Sequence, residues 1–138
     1  MIFTLPLLSC GGTRPDTLGL EGDRLHPCPD TPNCVCSDDH DSAHYIAPLQ
    51  LDAATAAEIW MRLQQQLRES PRTVIVSADE GYLHAEAASP LMGFVDDLEF
   101  HLRPEKGEIA LRSGARIGYS DFGVNRRRLE ALRQKLFP

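Results

Sequence analysis

Five arginines, Arg112, Arg116, Arg126, Arg127 and Arg128, bracket three glycines in the stretch Leu111-Arg-Ser-Gly-Ala-Arg-Ile-Gly-Tyr-Ser-Asp-Phe-Gly-Val-Asn-Arg-Arg-Arg128. Such a loop has two uses. Glycine-rich backbone leading into a helix N-terminus gathers free N–H groups, which hold phosphates and carboxylates in many proteins. Three arginines in a first helical turn also oppose the helix dipole. They need carboxylates of the chain or an external anion beside them. The internal solution would pair Arg116 or Arg126 with Asp96, Asp97 or Asp121. The loop has no Walker spacing, so nucleotide binding is not implied.

A second set lies on strand-like segments. Tyr82, His84 and Glu86 share one parity, Asp97, Glu99 and His101 another, and Arg112 belongs with them. The register that keeps the apolar positions inward sets Glu99 beside Arg112. Two histidines and three carboxylates on one face suit a metal ion or acid–base work. A solvated face with cross-strand ion pairs is the plainer expectation, because exposed sheet faces are commonly charged. No serine sits in a nucleophile elbow.

The cysteines come third. Cys28 and Cys34 enclose a short loop with two prolines, and a disulfide between them is expected. Cys34 and Cys36 are too close for a relaxed bridge. Cys28, Cys34 and Cys36 with His26 or His40 form the rival metal set. C-x5-C-x-C departs from the usual zinc spacing. No metal or cofactor is therefore assigned.

The elements that must position these groups follow from periodicity. Asp52 can cap a helix to about Glu69, with Ala56, Ile59, Trp60, Leu63 and Leu67 as its stripe. Strands are expected over Thr73 to Ala78, Tyr82 to Ala87, Phe94 to Leu102 and Glu108 to Gly114. A last helix, capped by Asn125, carries Leu129, Leu132 and Leu136. The fold class is α+β, a two-layer, four-stranded antiparallel meander with both helices on its apolar face.

At 138 residues the chain is of one-domain size, and its 42% hydrophobic and 25% charged residues are those of a globular protein. A net charge of −6 argues against a general nucleic-acid partner. Leu7-Leu8-Ser9-Cys10-Gly11 resembles a bacterial lipobox. It predicts a signal over residues 1–10, a lipid on Cys10 that binds the membrane, a tether over 11–24, and one globular domain over 25–138. The missing basic region and the short apolar stretch, broken by Pro6, depart from a complete signal. A start codon upstream accounts for both.

Three motifs, Cys28-Pro-Asp-Thr-Pro-Asn-Cys-Val35, Phe94-Val-Asp-Asp-Leu-Glu-Phe100 and the arginine loop, together resemble the uncharacterised bacterial and plastid family catalogued as domain of unknown function fourteen-ninety-nine. The likeness spans roughly Leu25 to Leu136. It implies a small envelope or lumenal domain, with a signal or lipid anchor in many members. The family's loop pattern carries over to Arg112, Ser113, Arg116, Gly118, Asp121, Gly123, Asn125, Arg126 and Arg128. Ala115 and Cys36 stand where the family tends to have serine. These readings lead to a non-enzymatic envelope binding module that recognises an anionic group at the arginine loop. The alternatives are a hydrolytic or metal-dependent enzyme using the His/Asp/Glu face, and a structural protein docking a partner subunit.

Overall fold

The structure is a computed structural model and describes residues 12–138. Cys10 and the expected signal lie outside the described residues. Helix α1 spans Ala56–Glu69 and buries Ala56, Ile59, Leu63 and Leu67, the stripe its spacing demands. Its cap is Thr55 rather than Asp52. The Asp52 carbonyl accepts the Thr55 N–H in a preceding turn, which delays the helix by one turn. Pro71 follows the helix and turns Ser70 extended.

Four strands then form an antiparallel meander: β5 Thr73–Asp79, β6 Tyr82–Ala88, β7 Val95–Arg103 and β8 Glu108–Ala115. Each matches its sequence pattern to within one or two residues. Helix α2, Val124–Leu136, returns across the sheet and buries Leu129, Leu132 and Leu136. One core joins the stripes of α1 and α2 to Leu83, Ala85, Leu98, Phe100, Ile109 and Leu111. The α+β class and the single helical layer follow from that packing.

The sheet has six strands, not four. The far edge of β8 pairs with β3, Cys34–Cys36, and with β4, Leu49–Gln50. Elements of three and two residues are too short to show an alternating pattern, so only their partner defines them as strands.

The second difference concerns the outer face. His84, Asp97, Glu99 and Arg112 are buried rather than solvated. Residues 14–27, read in the sequence as mostly tether, lie over them. This strap carries a two-stranded ribbon, β1 Leu20–Glu21 and β2 Arg24–Leu25. Leu25, Cys36 and Ala110 make a small second core beneath it, with Cys28 and Tyr82 packed against them. The strap docks by backbone donors and single side chains, which leave no periodic trace.

Candidate functional site

The register expected from sequence holds on the outer face. Glu99 stands opposite Arg112, and His84 opposite Glu99. Two linked ion clusters result. In the first, Arg116 donates from Nε and Nη2 to the two Asp97 oxygens, both at 2.8 Å, and from Nη2 to Glu86 at 2.6 Å. Arg14 of the strap reaches the same Glu86 oxygen at 2.6 Å. His84 Nε2 lies 2.7 Å from Asp97. Burial by itself would raise the Asp97 carboxyl, but the Arg116 fork and His84 outweigh it and hold Asp97 below the ordinary carboxylate range. Glu86 is held down in the same way by Arg14 and Arg116 against its burial.

In the second cluster, Glu99 accepts the Tyr82 hydroxyl at 2.6 Å, the Gly19 N–H at 2.8 Å and Arg112 Nη1 at 3.3 Å. Burial and then the bond to Glu99 push the Tyr82 phenol well up. Arg112 also donates to the Pro27 carbonyl, while its Nε is buried with no partner among the described residues. His101 lies apart, accepting from Arg103.

His84, Glu86 and Asp97 offer ligand atoms within 4.8 Å of one another, the metal-binding geometry the sequence raised. Both carboxylates already carry guanidiniums, and the strap closes the face. A divalent cation there would have to displace Arg116 and Arg14. The cysteine alternative is overturned more simply. Cys28 and Cys34 are disulfide-bonded, with Cα atoms 5.7 Å apart, so neither supplies a thiolate. Cys36 is a free, buried thiol that burial pushes up to about 11.

The arginine loop resolves its own conflict. Asp121 accepts the Gly123 and Asn125 N–H groups at 2.8 and 2.9 Å and supplies the negative charge that the α2 dipole favours. Asn125 is therefore not the cap. Gly123 occupies that position, and Asn125 lies inside the first turn, fully buried, where Ser113 and Arg128 donate to its side-chain oxygen. Arg126 donates to the carbonyls of Tyr45 and Ala43, and Arg127 to that of Phe122. Arg128 bonds Asp96 at 2.7 Å. Arg112, Arg116 and Arg128 thus meet carboxylates of the chain.

The loop also forms one wall of a cleft. The turn joining β6 to β7 forms the other. A hollow of about 540 Å³ lies between them, lined by Pro90, Phe94, Val95, Ile117, Phe122 and Val124. Asp96, Arg128 and Arg72 also border it. Of the predicted anion site, Gly118, Asp121 and Arg128 line it, whereas Arg112, Ser113, Arg116, Asn125 and Arg126 do not, nor do His84, Glu99 and His101 of the sheet face. The sequence reading missed this cleft. Its one trace is the run Ala87 to Val95, uncharged in a chain with 25% charged residues.

Strain marks the same place. Three non-glycine residues among those described have positive φ, Arg72 at 53°, Glu80 at 41° and Phe122 at 54°. Arg72 and Phe122 border the cleft. Phe122 and Gly123, φ 80°, fill the two central positions of the turn closed by Val124 N–H to the Asp121 carbonyl, as in a type I′ turn. Asn-Gly is the usual pair there, and a bulky residue at positive φ carries a backbone cost.

No curated protein and no solved structure was found to match the chain. The sequence model of one family matches residues 24–136, which takes in the cleft and both ion clusters except the strap's contributions from Arg14 and Gly19. The chain belongs to that family, described as proteins of unknown function, DUF1499.

Proposed function

We propose that the protein is a non-enzymatic binding module of the cell envelope, lipid-tethered through Cys10, and that its ligand occupies the cleft between the β6–β7 turn and the arginine loop. The observation that carries this reading is the cleft itself. Its 540 Å³ falls in the range of small-molecule sites, and its walls are mostly carbon. Two of its bordering residues hold strained backbone, which proteins retain most often where a site needs it.

The ligand's anionic group meets Arg72 and Arg128. Arg128 is partly satisfied by Asp96. Arg72 donates only its Nε, to the Ala88 carbonyl, which leaves both Nη nitrogens without a protein partner among the described residues. Arg112 and Arg116 serve the scaffold instead. The ligand class is therefore a small amphiphile, an apolar body ending in a phosphate or carboxylate.

Titration of the isotope-labelled protein with a soluble alkyl phosphate, an alkyl carboxylate and the matching alkanol tests this by amide shifts. Saturable shifts at Phe94, Ile117 and Val124 with the anions are expected. Arg72→Gln should weaken the anions several-fold and leave the alkanol unchanged. Shifts confined to residues outside the cleft, or none with any probe, would refute the site.

A further inference from the structure

We infer that the two loop tips flanking the cleft form a second membrane contact, dipping Leu91, Met92, Tyr119 and Phe122 into the interface of a lipid bilayer. These side chains are 95, 61, 70 and 85% exposed. Isolated exposed hydrophobes need no explanation, but a group of large ones on adjoining loops marks an interaction surface. Ala87 to Val95, which carries Leu91 and Met92, and Ile117 to Ser120, which carries Tyr119, contain no charge, and the Asp121 carboxylate before Phe122 accepts the Gly123 and Asn125 N–H groups. Phe122 adds a backbone cost to its exposure, so the chain spends stability on presenting this ring to the outside.

The position of Gly12 points to the partner. Gly12, the first described residue, packs against Ile117, where an added Cβ would stand 2.6 Å from its Cγ2. Cys10 is two residues before it, and two residues span at most about 7 Å. A lipid on Cys10 therefore holds the bilayer at this end of the molecule and at no other. Arg72 borders the cleft beside the tips, and Arg127 donates to the Phe122 carbonyl. Arginines at the edge of an inserted apolar group are suited to headgroup phosphates.

The shape favours lipid over a protein surface. Two protruding tips with a cleft between them would leave a void against a flat partner, whereas a fluid interface closes around each tip. The inference needs no ligand in the cleft. It rests on the lipid tether at Cys10 proposed above, which brings the membrane within reach.

The test is vesicle flotation of the full chain carrying Cys10→Ser, so that no acyl group contributes. Vesicles of phosphatidylcholine with phosphatidylglycerol should carry the protein upward. Leu91→Ser with Met92→Ser, and separately Phe122→Asn, should each lower partitioning about tenfold while melting stays at or above that of the parent. Met61→Ser, at a residue on α1 as exposed as Met92, should leave flotation unchanged. Leu91 and Met92 do not line the cleft, so that double variant should still bind the soluble alkyl phosphate. This separates failure of the membrane contact from failure of the ligand site. A parent protein that does not float, or variants that float equally, would overturn the inference. So would a dimer in sedimentation equilibrium that Phe122→Asn abolishes, since the surface would then join two copies of the chain.

Discussion

Phe122 lines the cleft and holds an exposed ring at a backbone cost. Its φ of 54° is comfortable for asparagine and costly for a phenyl-bearing residue, and its ring gains little from the fold. Phe122→Asn should therefore raise stability by about 0.5–1 kcal/mol, read as a higher urea midpoint with unchanged slope. A loss of stability would mean that the ring has an internal role. Cys36 makes the opposite case. It is fully buried, and its thiol is pushed up to about 11 from an ordinary 9.0. A folded-state pKa above the unfolded one contributes stability that is complete below about 9 and lost as pH rises towards 11. Cys36→Ala should flatten that alkaline decline, and alkylation of native Cys36 should be slow until the protein unfolds.

At the scale of elements, the outer sheet face is a buried electrolyte held shut by the strap. Asp97 is the pivot, taking both arms of Arg116 and facing His84. Asp97→Asn leaves the Arg116 guanidinium with Glu86 as its one carboxylate and should cost about 1.5–3 kcal/mol in chemical denaturation. Replacing both partners, Asp97→Asn with Arg116→Met, should cost less than the two single changes summed. Additivity would show that the pair is not coupled. The strap buries Leu25, and its Gly19 N–H and Arg14 satisfy Glu99 and Glu86. It thus closes a network that would otherwise have to remain in water. Helix α2 works similarly on the loop before β4. Arg126 holds the carbonyls of Ala43 and Tyr45, and Arg133 those of Ala47 and Pro48.

For the whole molecule, the depressed carboxyls of Asp97, Glu86 and Asp121, with those of Asp38 and Asp39, set the acid limit. Each is more acidic folded than unfolded, so its stabilisation is present above about pH 4 and lost as pH falls through the folded value. Unfolding free energy should be flat near neutrality and decline steeply below pH 4, and Asp97→Asn should make the decline shallower. Reduction of Cys28–Cys34, which closes only a short loop, should cost about 2 kcal/mol. Thermal unfolding with and without reductant measures it.

The sequence by itself determined the helices, the four long strands, the β7–β8 register and the disulfide. Each rests on local spacing: a 3.6-residue stripe, a two-residue alternation, or two cysteines that a short loop cannot separate. Even the Glu99–Arg112 pair was legible, since one register alone keeps Leu98, Phe100, Ile109 and Leu111 inward. Tertiary structure decided everything that depends on what lies across from a residue. A face of histidine, aspartate, glutamate and arginine reads the same whether water or a strap covers it, and only the position of residues 14–27 buries it. The arginine run looked like an unmet demand for an anion because Asp96, Asp97 and the carbonyls that answer it come from other elements. The cleft has no motif, since its walls are two loops that share no periodicity and meet only when β7 pairs with β8.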